Sequence, residues 1–343
     1  MSQGRSDPEE PSSGYRRPRQ ADVARVAGVS QSAVSVILSN KGGDRGIPEA
    51  TRKRVLEVAA SLGYVANSAA RRLKGKNTRL LGVHTYQSFF PLDPRDYYFD
   101  FLIGIERATR EAGYDLVLFT ATTHHDSAAS AFVEAKNRLS VADGAVLLGY
   151  EEDRNELRRL REEGFPFVHV GRRVVQGVDI AWASANYAAG MGRLLHVLRA
   201  EGFRHPLYLG QTEPPEPQED RQRGLRAAAR RLRLPEPFLV QTAPEAVTSE
   251  MLTGVQDMDV VIAEDLAHAD ATFRAMETAG IDLPVVLAEL PSAADSRPYH
   301  AYLGFSREEM GRRAAELAVA IIEGRAPRIR QIMVECEVVR PER

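Results

Sequence analysis

Gln31, Ser32 and Val36 stand near the start of a short run, Gln31–Ser39, whose apolar Val34, Ile37 and Leu38 recur at helical spacing and turn inward. The first three side chains therefore point away from the buried face. A Gln amide pairs bidentately with adenine, a Ser hydroxyl donates or accepts, and Val offers only an apolar surface of the kind a thymine methyl matches. Around them Ser30, Ser35, Thr51, Arg52 and Arg54 carry hydroxyls and cations that can hold phosphates, a contact that sets register and carries no sequence information. Taken singly, each of these residues is also consistent with plain solvated surface.

Three short helical patterns must position them. Ala21–Ala27 is the first, closed by Gly28-Val29, and Ser30 is a good N-cap for the second. After a Gly-rich loop, Lys41–Gly46, Pro48 at the first helical position and Glu49 open a third helix that runs to Leu62 and is closed by Gly63. Two short helices joined by a turn containing Gly make a helix-turn-helix, whose second helix enters the major groove. The turn needs Gly28, and Ala24 is small enough to let the helices approach. Residues 19–65 thus form a small all-α domain. Residues 1–18, rich in Ser, Pro, Gly and Arg, form a disordered basic tail. Residues 66–78 contain a fourth, marginal helix that starts at an Asn67 N-cap, passes Arg71 and ends at Gly75; it needs a partner or DNA to form. Its apolar Leu73 is either a minor-groove wedge or a contact to the body.

Charge divides the 343 residues in the same place. Residues 1–79 carry 15 Lys and Arg against 7 Asp and Glu, a balance of +8, and the remainder carries 30 against 40, a balance of −10. A basic head on an acidic body suits binding a polyanion through one end, although a merely solvated basic face has the same composition. No stretch approaches the roughly 18 apolar residues a membrane span needs, and the N-terminus lacks the apolar core of a signal peptide, so a cytoplasmic, nucleoid-associated protein is expected. The single Cys336 excludes an intramolecular disulfide framework or a Cys-based zinc site.

From Arg79 to residue 343 short apolar runs alternate with amphipathic helices. The expected strands are Leu80–Thr85, Asp115–Thr120, Gly144–Leu148, Phe167–Val170, Pro206–Gly210, Val260–Ala263 and Val285–Ala288. The helices between and after them are Phe101–Ala112, Ser127–Leu139, Glu156–Glu163, Ala188–Ala200, Arg221–Leu232, Ala267–Ala279 and Glu308–Glu323. This winding implies α/β structure with parallel sheets, and the number of strands suits two lobes with a ligand cleft facing the strand ends. Trp182, the only tryptophan, is either a stacking face for a sugar ring or core.

Asp22-Val-Ala-Arg-Val-Ala-Gly-Val-Ser30 followed by Ala33-Val-Ser35 resembles the helix-turn-helix signature of the LacI/GalR family of bacterial repressors. Thr51-Arg52 through Leu62-Gly63-Tyr64 is similar to that family's third helix, and Asn67 through Ala70-Arg71 to Leu73 to its hinge helix. In the body Gly104-Ile105-Glu106, Arg221 with Gly224, and Glu309-Met310-Gly311 recur in the family's order, so the resemblance covers nearly all of residues 19–340. It implies a periplasmic-binding-protein-like, two-lobed sensor over residues 79–343, base reading by Gln31, Ser32 and Val36, and a Leu73 wedge from each subunit. It further implies an effector site at Arg221, with Glu264-Asp265 where the family usually has Asn-Asp and Glu289 where it has a pocket Asp. Arg172, Tyr86 and Asp100 complete the candidate set with Trp182. Several positions depart from the pattern: Arg19 replaces the Thr that caps the first helix, Val36 a common Arg, and Phe305 a frequent Gln. Asn186-Tyr187 replaces Asp-Asn, Gly171-Arg172 replaces Asp-Arg, Gly42–Gly46 is longer than usual, and roughly Phe89–Tyr97 is inserted.

Other classes fit less well. Gly75-Lys76-Asn77-Thr78 lacks the earlier Gly of a phosphate loop, and His124-His125 cannot ligate one metal from a helix face, so neither an enzyme nor a bound cofactor is expected. A transport-type solute-binding protein would fit the body but not the basic head. The expectation is a DNA-binding repressor, a homodimer on a palindromic operator, released when a sugar reorients the lobes and disorders residues 67–74. The alternative is the same architecture sensing a nucleobase or phosphorylated metabolite, with corepression in place of release. Only four residues follow Val339, too few for a tetramerising helix.

Overall fold

The computed structural model describes residues 18–38, 47–64, 77–85, 98–120, 138–149, 154–291 and 296–341. The chain separates into two compact units, Met1–Thr78 and Arg79–Arg343.

In the first unit α1 is Gln20–Ala27, α2 is Gln31–Leu38 and α3 is Glu49–Ser61. The axes of α1 and α2 are bent by 107°, within the range expected of a helix-turn-helix. Gly28 makes that bend possible because its φ of 64° lies in the left-handed region that L side chains avoid. The Val29 N–H then reaches back to the Ala24 carbonyl at 3.1 Å. Ser30 caps α2 through its Oγ, which accepts the Ala33 N–H at 3.2 Å. Arg19 offers α1 no side-chain cap; instead the Asp22 carboxylate accepts the Arg19 N–H at 2.8 Å. Pro48 is the N-cap of α3 and not its first helical residue. Val23, Ala24, Ala27, Val34, Ile37, Val55 and Ala59 close a small core, with Leu38 packed at its edge.

The second unit has two sheets. The first comprises β1 Leu80–Thr85, β2 Asp115–Phe119, β3 Gly144–Leu148, β4 Phe167–Val170, β5 Trp182–Ala185 and β11 Gln331–Val334, in the order β11-β5-β4-β3-β1-β2, all parallel. The second comprises β6 Pro206–Gly210, β7 Phe238–Gln241, β8 Val260–Ala263, β9 Val285–Leu287, β10 Ala301–Phe305 and β12 Cys336–Val339, in the order β12-β10-β9-β8-β6-β7. Only the edge strand β12 runs antiparallel to its neighbour among these described strands, an exception to the all-parallel expectation. The fully buried strands of both sheets read as continuous apolar runs because helices cover them on both faces.

Helices α4 Phe99–Glu111, α5 Arg154–Glu162 and α10 Arg307–Ile322 belong with the first sheet; α6 Tyr187–Ala200, α7 Glu216–Leu232, α8 Ser249–Gly254 and α9 Leu266–Ala279 belong with the second. The chain therefore crosses between lobes after β5, after β10 and between β11 and β12. These crossovers are tied together: the Asn186 N–H donates to the Val334 carbonyl at 2.8 Å, and the Asn186 Nδ2 donates to Glu335 Oε1 at 3.3 Å. Asn186 also caps α6 and Ser306 caps α10, so two crossovers double as helix starts. The family-like glycines Gly104 and Gly311 bring α4 and α10 together; a Cβ on Gly104 would lie 1.9 Å from the Glu308 carbonyl, and one on Gly311 2.2 Å from that of Phe101.

Candidate functional site

In the first unit Gln31 and Ser32 are exposed at the start of α2, and Val36 and Ser35 are half-buried one turn on. The Ser30 hydroxyl is engaged both by the Ala33 N–H and by Ser32 Oγ at 2.8 Å, so it serves the helix start. Thr51 and Arg52 are half-buried, with Arg52 Nε 3.6 Å from Glu49, and Arg54 is exposed on the same helix. Asn67, Arg71 and Leu73 lie outside the described residues, as do Tyr86, the Phe89–Tyr97 insertion and the loop at Gly42–Gly46.

In the second unit a cluster forms at the carboxyl ends of the parallel strands of the second sheet. Gln211 follows β6, Glu264 and Asp265 follow β8, Glu289 lies just beyond β9, and Phe305 ends β10. Ligands of open α/β sheets bind at such strand ends. Arg221, on the second turn of α7, is 4% exposed and lies over the Tyr187 ring with its Cζ 4.1 Å from the centroid. Tyr187 is in turn edge-on to Phe305, with centroids 5.3 Å apart and planes at 82°. Burial opposes the charge of Arg221, but the phenols of Tyr187 and Tyr208 and the carboxylates of Glu289 and Glu264 outweigh it and hold the guanidinium firmly protonated.

The carboxylates differ sharply. Glu264 is fully buried against Gly210, where any Cβ would collide with the carboxylate. Its Oε2 accepts the Gln211 N–H at 2.9 Å, and burial pushes its pKa up to about 7 against the pull of Arg221. Asp265 caps α9: its Oδ1 accepts the His268 N–H at 2.9 Å and faces the His268 Nδ1 at 2.8 Å, and its Oδ2 accepts from Gln211 Nε2 at 3.3 Å. Burial raises the carboxyl, but the bonds from His268 outweigh this and leave it below the usual carboxylate range. The other ring nitrogen of His268 lies 2.9 Å from the Thr242 carbonyl. Burial lowers the pKa of the ring, but the Asp265 carboxylate and the Thr242 carbonyl, which both accept, outweigh it and raise the pKa above its ordinary value, an arrangement that favours the doubly protonated ring. Glu289 is raised by burial and accepts the Leu266 N–H at 3.1 Å.

Arg221 Nε, Glu264 Oε1 and the Tyr208 hydroxyl are buried without a hydrogen-bond partner among the described residues. Native interiors satisfy such atoms, so three of them close together mark a place whose bonding a ligand or solvent can complete. Arg221, Glu264, Asp265 and Glu289 are thus brought together as the sequence suggests. Three other candidates are not. Asp100 is exposed in the first turn of α4. Trp182 is 4% exposed at the amino end of β5, about 10 Å of strand from its carboxyl end, so it is core and cannot line the cleft. Arg172 is engaged by Asp220 at 2.8 Å and Glu219 at 3.5 Å. Sequence reasoning missed Tyr187, Tyr208, Gln211 and His268; the Asp-Leu-Ala-His spacing from Asp265 was the available signal for the last, since an N-cap and a residue three on share a helix face.

Residues 21–67 match the model of bacterial regulatory proteins of the lacI family, and residues 90–339 match that of periplasmic binding proteins and the sugar binding domain of the LacI family. The chain belongs to the LacI family. Among its relatives the HTH-type transcriptional regulator CelR of Thermobifida fusca is 25% identical over 94% of this chain and 97% of that one. The HTH-type transcriptional regulator PtxS of Pseudomonas putida is 33% identical, aligned over 54% of this chain and 51% of its own length. Two solved structures share the fold. A CelR–cellobiose complex matches 94% of this chain and 98% of its own at a TM-score of 0.61 and 22% identity. A lac repressor dimer bound to operator and the anti-inducer ONPF matches 95% and 98% at 0.70 and 16%. This LacI-family chain is accordingly a DNA-binding transcriptional regulator and not an enzyme, as its relatives are named. Among the described residues no single helix is long and apolar enough to cross a membrane, and no His, Cys, Asp and Glu cluster could hold a metal.

Proposed function

We propose that the protein is a cytoplasmic homodimeric repressor that leaves a palindromic operator when an uncharged carbohydrate occupies the Arg221 site. The observation that carries this reading is the unpartnered set Arg221 Nε, Glu264 Oε1 and Tyr208 OH at the strand ends. A guanidinium donor, with a carboxyl oxygen and a phenol hydroxyl that can each donate or accept, is what ring hydroxyls complement. Tyr187 beneath Arg221 holds the guanidinium in place. A phosphorylated ligand fits poorly, because the Arg221 and His268 cations already face Glu264, Glu289 and Asp265. Residues 19–65 act as the DNA-binding domain, residues 66–78 as the hinge and residues 79–343 as the sensor.

Gln31, Ser32 and Val36 read bases; Thr51, Arg52 and Arg54 hold phosphates together with Ser35 and Arg71; Leu73 from each subunit wedges the operator's centre. The dimer reading has support at the sheet edges. Leu118 on β2 and Phe238 on β7 are exposed large apolar residues on the terminal strands of the two sheets, with Phe99 and Val141 also exposed. Apolar side chains at sheet edges are available to a second copy of the chain. Cellobiose is the ligand named for the CelR complex, and it heads the panel of sugars to test. Arg221→Ala should leave specific DNA binding intact and abolish release by the sugar that releases the wild type, measured by fluorescence anisotropy. A variant that responds normally would remove Arg221 from the site.

A further inference from the structure

Among the described residues a cluster of ions at the start of α7 joins the two lobes besides the crossovers. Arg172, in the loop after β4, donates through Nε to Asp220 Oδ2 at 2.8 Å and through Nη2 to the Glu216 carbonyl at 3.3 Å, and it lies 3.5 Å from Glu219. On the same side Arg154 of α5 is 3.2 Å from Glu216 and Arg173 is 3.8 Å from it, while the Val174 N–H donates to Glu216 Oε1 at 2.9 Å. The side chains of Glu216 and Asp220 are only 5% and 9% exposed. The cations that reach across come from the first lobe and the carboxylates from the second; within the second lobe Arg223 also donates to Asp220 Oδ1, and Asp220 immediately precedes Arg221.

We infer that Arg172 and Asp220 are a positioning pair that holds the first lobe over the Arg221 pocket, and that Arg172 is not itself a ligand of the effector. This rests on the reading that Arg221 marks the effector site. A charge pair so far out of water is costly to break from one side only, because the remaining charge stays desolvated. The carboxylates nevertheless have a second source of stabilisation: Glu216 and Glu219 stand in the first turn of α7, where the partial positive charge of the helix start favours them, and Asp220 keeps Arg223 of its own helix. Separation of the lobes returns Arg172 to water and leaves the carboxylates with that stabilisation. The pair is thus able to close and reopen, which a sensor requires, and its closure fixes the wall that faces Arg221.

The test uses the full chain with nitroxide labels on cysteines introduced by Glu162→Cys on α5 and Glu245→Cys after β7, both exposed. The native Cys336 is buried, with its thiol pushed up to about 11, and does not compete for the label. Interlobe distances are read by pulsed electron resonance without any effector. Arg172→Ala should lengthen and broaden the distribution, and exchanging the charges with Arg172→Asp plus Asp220→Arg should restore it. A distribution in Arg172→Ala that superimposes on the parent, or an exchange no better than the single change, overturns the proposal. Should Arg172→Ala fail to fold by circular dichroism, the parent in rising NaCl decides: broadening supports the pair and an invariant distance refutes it. Because no effector is present, failure here is separate from failure of the Arg221 assignment, which the anisotropy measurement reads.

Discussion

The buried Glu264 carboxyl makes a prediction about stability whose sign and size follow from its surroundings. Burial, opposed by Arg221 and by the Gln211 N–H, moves its pKa from an ordinary 4.5 to about 7. One tenfold change in an equilibrium is 1.36 kcal/mol, so that displacement amounts to about 3 kcal/mol. Between pH 4.5 and 7 the folded protein keeps a proton that the unfolded chain has released, so stability falls as pH rises through this window and is level above it. Glu264→Gln has nearly the same shape, keeps an oxygen to accept the Gln211 N–H and has no proton to lose. The variant and the parent should melt together at pH 4.5. At pH 8 the variant should melt higher by roughly 6–12 °C, from the ~2–4 °C per kcal/mol expected of a domain this large. Scanning calorimetry of both full chains from pH 4.5 to 8 measures it. Parallel melting profiles across that range would refute the buried, proton-holding state of Glu264.

Three further outcomes follow from packing and caps. Gly28→Val forces a β-branched residue to a φ of 64° with nothing around the new side chain, so the loss is of backbone origin, roughly 1–2 kcal/mol, read as a lower urea midpoint for the helix-turn-helix transition. Ser30→Ala removes the cap of α2 and should cost about 1 kcal/mol, seen as faster amide exchange at Ala33 and weaker DNA binding; unchanged exchange would show the cap to be idle. Gly104→Ala places a methyl on the Glu308 backbone, must part α4 from α10, and should cost about 1–3 kcal/mol in the calorimetric transition of the sensor unit.

Much of the fold is legible in the sequence, and the failures are physical. The strands read correctly, such as Gly144–Leu148 and Val260–Ala263, are buried on both faces and so appear as unbroken apolar runs bounded by turns. Gln331–Val334 and Cys336–Val339 escape the sequence pattern because each is only four residues long and pairs at a sheet edge with a segment distant in sequence. Trp182–Ala185 was missed because its small residues, Ala183, Ser184 and Ala185, carry no β-branched signal, and the stacking role considered for Trp182 ended with that strand's direction. In the pocket, residue types suggested Arg221, Glu264, Asp265 and Glu289. Their roles required coordinates: Asp265 is occupied by the α9 cap and His268, whereas Glu264 keeps one oxygen unpartnered. The ion pairs of Arg172 span 48 residues of sequence, beyond the reach of any local pattern.

The central claim, a two-fold operator reader released by a carbohydrate, is tested most directly by selecting genomic DNA with the purified full chain and then titrating the best site with cellobiose, other sugars and nucleobases. The account predicts a short palindrome contacted symmetrically and released by one of the sugars. Binding to an asymmetric site, or a palindrome that only a nucleobase releases or tightens, would contradict it.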